Sequence, residues 1–154
     1  MPLAAIGIGS NLGDAKAHVR RALVRLEELG TVVARSSLYR SEPWGVTEQP
    51  AFVNAAALVR TELEPRALLD ALKRIERDEG RTAGPRWGPR VLDLDILTYD
   101  DRYVDEPDLV IPHARLRERA FALVPLAELD PRWRDDVAAL GRGEREAVVE
   151  LDDR

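Results

Sequence analysis

Asp93 and Asp95 are separated by a single residue and follow a turn that carries two arginines, in the run Arg86-Trp87-Gly88-Pro89-Arg90-Val91-Leu92-Asp93-Leu94-Asp95-Ile96-Leu97. The stretch from Val91 to Leu97 is apolar enough for a strand, in which alternate side chains share a face. Leu92, Leu94 and Ile96 would then enter a core while both aspartates point the other way. Their Cα atoms would lie roughly 6.5–7 Å apart, two strand rises. Carboxylates at that distance repel by about 2–3 kcal/mol at an effective dielectric near 20. A hard divalent cation removes that cost, and Mg²⁺ commonly takes one or two carboxylates plus substrate phosphates. Arg86 and Arg90 suit the phosphates, because guanidinium forks match phosphate oxygens. A solvated strand face with ordinary surface charges is the competing reading.

A strand must hold this pair, and the elements around it are readable. Leu3 to Gly9 is a short strand, and its turn feeds a helix with the stripe Val19, Ala22, Leu23, Leu26 and Leu29, stopped by Gly30. Thr31 to Tyr39 reads as a second strand, Ser41 to Ala51 as a loop with Trp44, and Phe52 to Thr61 as a third strand. Pro65 opens a second helix, with Leu68, Leu69, Leu72 and Ile75 inward and Gly80 at its end. Arg81 to Arg90 is a second Gly/Pro loop and Val91 to Tyr99 the fourth strand. The order β-α-β-β-α-β predicts an α+β fold of ferredoxin-like type, a mainly antiparallel sheet with helices packed on it. Beyond it, Arg102 to Val104 is expected to hairpin back, Glu106 to Pro112 to run extended, and His113 to Leu129 to be mostly helical, interrupted by Pro125. The charged tail after Pro131 receives no assignment.

Asn54 shares a strand face with Phe52, Ala56 and Leu58. A partly buried amide needs partners and could read a heterocycle edge, with Phe52 stacking on the ring; bonding to a loop backbone is equally compatible. Trp44 and Trp87 lie in the Gly/Pro loops, as stacking plates or as anchors. His113 precedes Arg115, Arg117 and Arg119, which favours a phosphate contact over a metal site. Gly7, Gly9 and Gly13 resemble a dinucleotide-binding turn only superficially, being one residue too widely spaced, and are read as a tight connection capped by Asn11 or Asp14.

With 154 residues, 45% hydrophobic and 33% charged, the chain has the size and composition of one globular domain, expected to span 1–154. A net charge of −5 disfavours nucleic acid as a partner. No cysteine occurs, so disulfides and thiolate metal sites are excluded. The lack of a signal peptide or long apolar run predicts a cytoplasmic protein without a membrane partner.

These residues resemble the 6-hydroxymethyl-7,8-dihydropterin pyrophosphokinases of folate biosynthesis. The signature is Arg86-x-Gly88-Pro89-Arg90-x-x-Asp93-Leu94-Asp95-Ile96-Leu97. It is joined by Gly9-Ser10-Asn11-Leu12-Gly13, Tyr39-Arg40-Ser41-Glu42-Pro43, Phe52-Val53-Asn54-Ala55-Ala56, Ile75-Glu76, Gly80-Arg81, Ile111-Pro112-His113 and Arg119-x-Phe121, in the family's order over about the first 130 residues. The resemblance implies a ferredoxin-like fold, a monomer, and transfer of pyrophosphate from ATP to the pterin hydroxymethyl group with release of AMP. It also implies that Asp93 and Asp95 hold two Mg²⁺ ions and, with Arg81 and Arg90, form the catalytic set. Lys73, Glu76, Arg81, Trp87, Arg90, Ile96, Leu109, Val110, His113 and Arg119 would surround ATP. Ser41, Pro43, Trp44, Phe52, Asn54, Asp93 and Phe121 would receive the pterin, with Phe52 and Phe121 sandwiching its ring. The chain departs from some relatives in the uncharged Thr82-Ala83-Gly84-Pro85, in Ala114 where others place an aromatic residue, and in Asp108 where others place an arginine. A small-molecule regulatory module and a nucleic-acid module on the same fold are the rival readings. The first gives no reason for arginines beside the aspartates, and the acidic balance disfavours the second.

Overall fold

A computed structural model describes residues 1–42, 50–80 and 91–151. Its main sheet is antiparallel and six-stranded: β1 (Leu3–Ser10), β2 (Thr31–Arg35), β3 (Tyr39–Ser41), β4 (Phe52–Arg60), β5 (Asp93–Tyr99) and a last strand, Val148–Glu150. The strands run in the order β5-β1-β4-β3 and then Val148–Glu150, with β2 also paired to β4. This is the spatial order of a split β-α-β pair, as expected from the sequence.

Two helices cover one face. Helix α1 (Ala15–Arg25) starts at Asp14, whose Oδ1 accepts the amide of Ala17 at 3.2 Å. Asn11 does not cap; its Nδ2 donates to the Pro50 carbonyl at 3.0 Å and so holds the end of the loop before β4. Helix α2 (Pro65–Asp78) begins at its proline, and Gly80 follows it at φ +91. Gly30 is not the cap of α1, which tightens into a 3-10 turn at Leu26–Glu28. Its need for glycine is steric, since a Cβ there would lie 2.1 Å from the Arg60 carbonyl oxygen. Val19, Leu23, Leu26, Leu68, Leu72 and Ile75 meet Ile6, Ile8, Leu94 and Ile96 of the sheet in one core.

The expected second strand is broken in two. At Ser36 the backbone amide still donates to the Ala56 carbonyl at 2.9 Å, but the return bond goes to the side chain: Ser36 Oγ accepts the Ala56 amide at 2.8 Å and donates to the Ser37 carbonyl at 2.7 Å. A serine hydroxyl that competes for ladder groups is the physical cause of the split. β5 begins at Asp93, two residues later than expected. A bulge inserts Leu97 between the pairs Ile6–Ile96 and Ala5–Thr98, which returns Tyr99 to the core face.

After β5, Val104–Glu106 (β6) and Leu109–Ile111 (β7) form a separate two-stranded hairpin that turns at Pro107–Asp108. The hairpin thus starts at Val104, the end of the segment expected to turn back, and its turn and second strand fall in the stretch expected to be merely extended. Asp108 does not reach outward as a free acid; Arg66 of α2 donates to both its oxygens at 2.7–2.8 Å and also contacts Glu106. The next segment is helical only at Leu116–Glu118 and in α3 (Ala120–Leu129). Pro125 does not break α3, because a buried helix can forgo one ladder bond when both sides pack. Leu123, Leu126 and Ala127 pack on the second sheet face with Ala5 and Leu97. Glu128 clamps α3 to β3, accepting the Tyr39 hydroxyl at 2.5 Å and the Ser37 amide at 3.0–3.1 Å.

The tail, unassigned from sequence, completes this second layer. Short helices α4 (Arg134–Ala138) and α5 (Arg142–Glu146) lead to β8 (Val148–Glu150), which pairs antiparallel with β3. Trp133 and Leu140, both 8% exposed, enter the core of Leu97, Leu116, Leu123 and Leu126. Arg117 lies over the Trp133 ring at 5.1 Å. Trp133→Ala is therefore expected to cost about 3–5 kcal/mol in urea unfolding, the usual penalty for emptying a buried indole site. A loss below about 1 kcal/mol would mean that the tail merely lies on the surface.

Candidate active site

Three adjacent strands bring the sequence candidates together on the face that α3 only partly covers. Asp93 on β5 pairs with Gly9 on β1, and Gly9 pairs with Asn54 on β4. The next pairs along the same face are Asp95 with Gly7 and Gly7 with Ala56. Leu92, Leu94 and Ile96 are buried on the opposite side, so both aspartates face away from the main core. Asp93 is half-buried and Asp95 exposed.

The glycines matter more here than in the turn that follows them. With no side chain at Gly9, Asp93 and Asn54 face each other across an open strand, roughly 10 Å apart at two strand spacings. A Cβ on Gly9 would sit 3.1 Å from Asn54 Oδ1, and one on Gly7 would press on Leu97 at 3.2 Å. The two glycines thus clear a floor between the carboxylates and the amide. Their spacing of two, in phase with Asp93 and Asp95, is the signal that the turn reading overlooked.

Asn54 is buried and donates through Nδ2 to Ser41 Oγ at 2.6 Å. Phe52 precedes it on the same face and pairs with Ser41. Phe121, at the start of α3, is half-buried, and the Arg119 guanidinium lies 5.8 Å from its ring centre. Ser41, Arg119 and Phe121 border a cleft of about 540 Å³, closed on its far side by Leu140, Ala147 and Val148 of the tail.

A second group lines the outer edge of β5, which among the described residues has β1 as its one partner strand. The amide of Leu94, between the two aspartates, donates to the buried Glu76 carboxylate of α2 at 2.7 Å. The amide of His113 donates to the Leu97 carbonyl at 2.9 Å. Burial pushes the His113 imidazole below its ordinary pKa, Asp95 opposes that shift, and Arg119 and Arg115 reinforce it. The His113 ring is therefore within the electrostatic reach of Asp95 and both arginines.

The remaining candidates divide. Lys73 is exposed on α2 and Val110 is 38% exposed on β7, while Ile96 and Leu109 are buried with the main core beside α2. Pro43, Trp44, Arg81, Trp87 and Arg90 lie outside the described residues, as does Arg86. Among the described residues no cluster of three or more His, Cys, Asp or Glu side chains could hold a metal ion. The aspartate pair can supply two hard oxygen ligands, so an ion there must take its others from elsewhere.

Comparison with known proteins bears on the family and the fold. A 2-amino-4-hydroxy-6-hydroxymethyldihydropteridine pyrophosphokinase of Methylorubrum extorquens is 46% identical over 154 residues, covering 99% of this chain and 95% of the relative. The protein of that name from Pseudomonas aeruginosa is 46% identical over 131 residues, covering 84% of this chain and 81% of its own. Among solved structures, Plasmodium falciparum HPPK-DHPS is similar with a TM-score of 0.64 and 15% identity, over 87% of this chain and 41% of that one. That likeness shows the fold, and this chain spans about two fifths of that longer protein. Residues 5–131 match the family described as 7,8-dihydro-6-hydroxymethylpterin-pyrophosphokinase (HPPK), and to that family the chain belongs.

Proposed function

We propose that this chain transfers pyrophosphate from ATP to the hydroxymethyl group of 6-hydroxymethyl-7,8-dihydropterin, releasing AMP, in folate biosynthesis. The observation that carries this reading is the place of Asp93 and Asp95. They stand between a polar, aromatic pocket (Phe52, Asn54, Ser41 and Phe121) and the β5 edge that Glu76 and His113 approach. A donor of phosphate on one side and an alcohol on the other would meet over the two carboxylates.

The reaction joins the pterin hydroxyl oxygen to the β-phosphorus and breaks the bond from that phosphorus to the α,β-bridging oxygen. AMP leaves with that oxygen, and the hydroxyl proton passes to solvent. Alignment and charge neutralisation supply most of the rate in phosphoryl transfer, so few proton-transfer groups are required. Asn54 reads the pterin edge and Phe52 and Phe121 hold its ring, with Pro43 and Trp44 completing that side. Arg119, Arg90 and Arg81 neutralise phosphate oxygens. His113 can donate one hydrogen bond to a phosphate. Lys73, Glu76, Trp87, Ile96, Leu109 and Val110 border the nucleotide.

Asp93 and Asp95 fit Mg²⁺: two hard oxygens on one strand face, with the other ligands left for phosphate and water. When bound, the metal, two ions by family resemblance, supplies charge neutralisation to the triphosphate and favours in-line displacement. The protein is read as a cytoplasmic monomer, one domain over 1–154, whose partners are small molecules rather than nucleic acid or membrane. No helix among the described residues is long and apolar enough to cross a membrane.

Incubation of the protein with ATP, Mg²⁺ and the hydroxymethyl dihydropterin should produce AMP and the pterin pyrophosphate by chromatography. ADP as the nucleotide product would refute the transfer. Asp93→Ala and Asp95→Ala should each lower kcat by several orders of magnitude, since a metal ligand is lost and phosphate repulsion returns. Near-normal rates in both would end the metal assignment. Phe121→Ala should raise the KM for the pterin at least about tenfold, by loss of ring stacking, and leave the KM for ATP nearly unchanged. The reverse pattern would mean that the two pockets are exchanged.

A further inference from the structure

Helix α3 carries Phe121 at its start and Glu128 near its end. Residues seven apart in an α-helix lie on nearly the same side, roughly 10 Å from one another. At the Glu128 end the helix is bonded to the sheet. The Tyr39 hydroxyl donates to Glu128 Oε1 at 2.5 Å, and the Ser37 amide donates to both carboxylate oxygens at 3.0–3.1 Å. The sense of these bonds is fixed, because an amide only donates and an ionised carboxylate only accepts. At the other end Phe121 borders the cleft beside Ser41, whose partner on β4 is Phe52. Phe52 Cδ1 lies 3.9 Å from the place that a Gly9 Cβ would take, so its ring stands on the open floor.

We propose that Tyr39 and Glu128 are positioning residues for the substrate pocket: their bond fixes how closely α3 approaches the sheet and so sets the gap between Phe121 and Phe52 that a planar ring must fit. This rests on the pterin reading above, which supplies the ring.

Further observations give the clamp this role. Tyr39 pairs with Asn54, and the next pair on the same face is Ser41 with Phe52. The clamp thus stands one same-face step, about 7 Å, from the ring site. The Tyr39 backbone is also paired with Glu150 of β8, so the strand that presents its hydroxyl is held on both sides. Tyr39 is buried, and burial together with the bond to Glu128 pushes its hydroxyl above the ordinary tyrosine pKa, which keeps the proton in the bond. Pro125 has no amide hydrogen to give the Phe121 carbonyl, so the first turn of α3 lacks one of its own ladder bonds. The position of Phe121 therefore depends more on what ties the helix to the sheet than on the helix itself.

The test measures the KM for each substrate in Tyr39→Phe, Glu128→Ala and Glu128→Gln beside the unaltered protein. Tyr39→Phe and Glu128→Ala should each raise the KM for hydroxymethyl dihydropterin about fivefold and leave the KM for ATP within about twofold. Glu128→Gln, which keeps an oxygen for the Tyr39 hydroxyl, should hold the pterin KM within about twofold of the original. In a Phe121→Ala background, Tyr39→Phe should change the pterin KM by less than about twofold, because the group it positions is gone. The chain contains two phenylalanines, so 4-fluorophenylalanine labelling gives one fluorine resonance for each ring. The Phe121 resonance of the unliganded protein should move in Glu128→Ala and return in Glu128→Gln. Equal rises in both KM values, the same fivefold rise without Phe121, or an unmoved Phe121 resonance would each overturn the proposal. If the unaltered protein consumes no pterin, the functional reading falls, while the fluorine comparison still decides whether the clamp positions Phe121.

Discussion

The bond from the Leu94 amide to the buried carboxylate of Glu76 is the constraint on which the site rests. Among the described residues β5 is the outermost strand of the sheet at that side and has one strand partner. An edge strand presents unpaired backbone groups, and without cover it frays or pairs elsewhere. Glu76 occupies one such group, and its residue is the one between Asp93 and Asp95. Two residues beyond Asp95, the His113 amide occupies the Leu97 carbonyl. The two acids therefore project from a strand whose free edge is held by an α2 carboxylate at one point and by the β7 continuation at another. A buried carboxylate is costly unless well bonded, so its placement here indicates a site that needs a rigid backbone more than it needs an apolar contact.

Across the sheet the same economy of means recurs with smaller groups. Two glycines on β1 keep the space between the acids and the amide empty, and Ser36 places a hydroxyl where a ladder would otherwise run on. The floor of the site is flat because the central strand contributes no side chains to it. Its walls come from the flanks: Phe52 on β4, Phe121 from α3, and acids from β5. Glu128 and Tyr39 fix the relation of α3 to β3 and hence the gap between the two phenylalanines.

Much of this was legible in the residues. The period of two through Leu92, Leu94 and Ile96 placed the aspartates correctly, because a buried alternating face leaves no other register. Asn54 was placed on the face that it occupies, and Asp14, Pro65 and Gly80 marked the helix ends. What escaped was contact between residues far apart in the chain. The break at Ser36 depends on a hydroxyl meeting Ala56. The glycine at 30 depends on the carbonyl of Arg60. The β6–β7 hairpin depends on Arg66 drawing in Glu106 and Asp108. The tail was opaque for a compositional reason: its many charges hide two large apolar anchors, Trp133 and Leu140, that carry no periodic pattern.

The tail also alters what counts as an indivisible unit. The family signature ends at residue 131, but the apolar seam beneath α3 continues through Trp133 and Leu140 and the sheet continues through β8. A graft, fusion or minimal fragment cut at the signature's end would carry every reactive group and still lose the stave that braces one side of the floor. Any splice that keeps this architecture whole has to fall after Leu151.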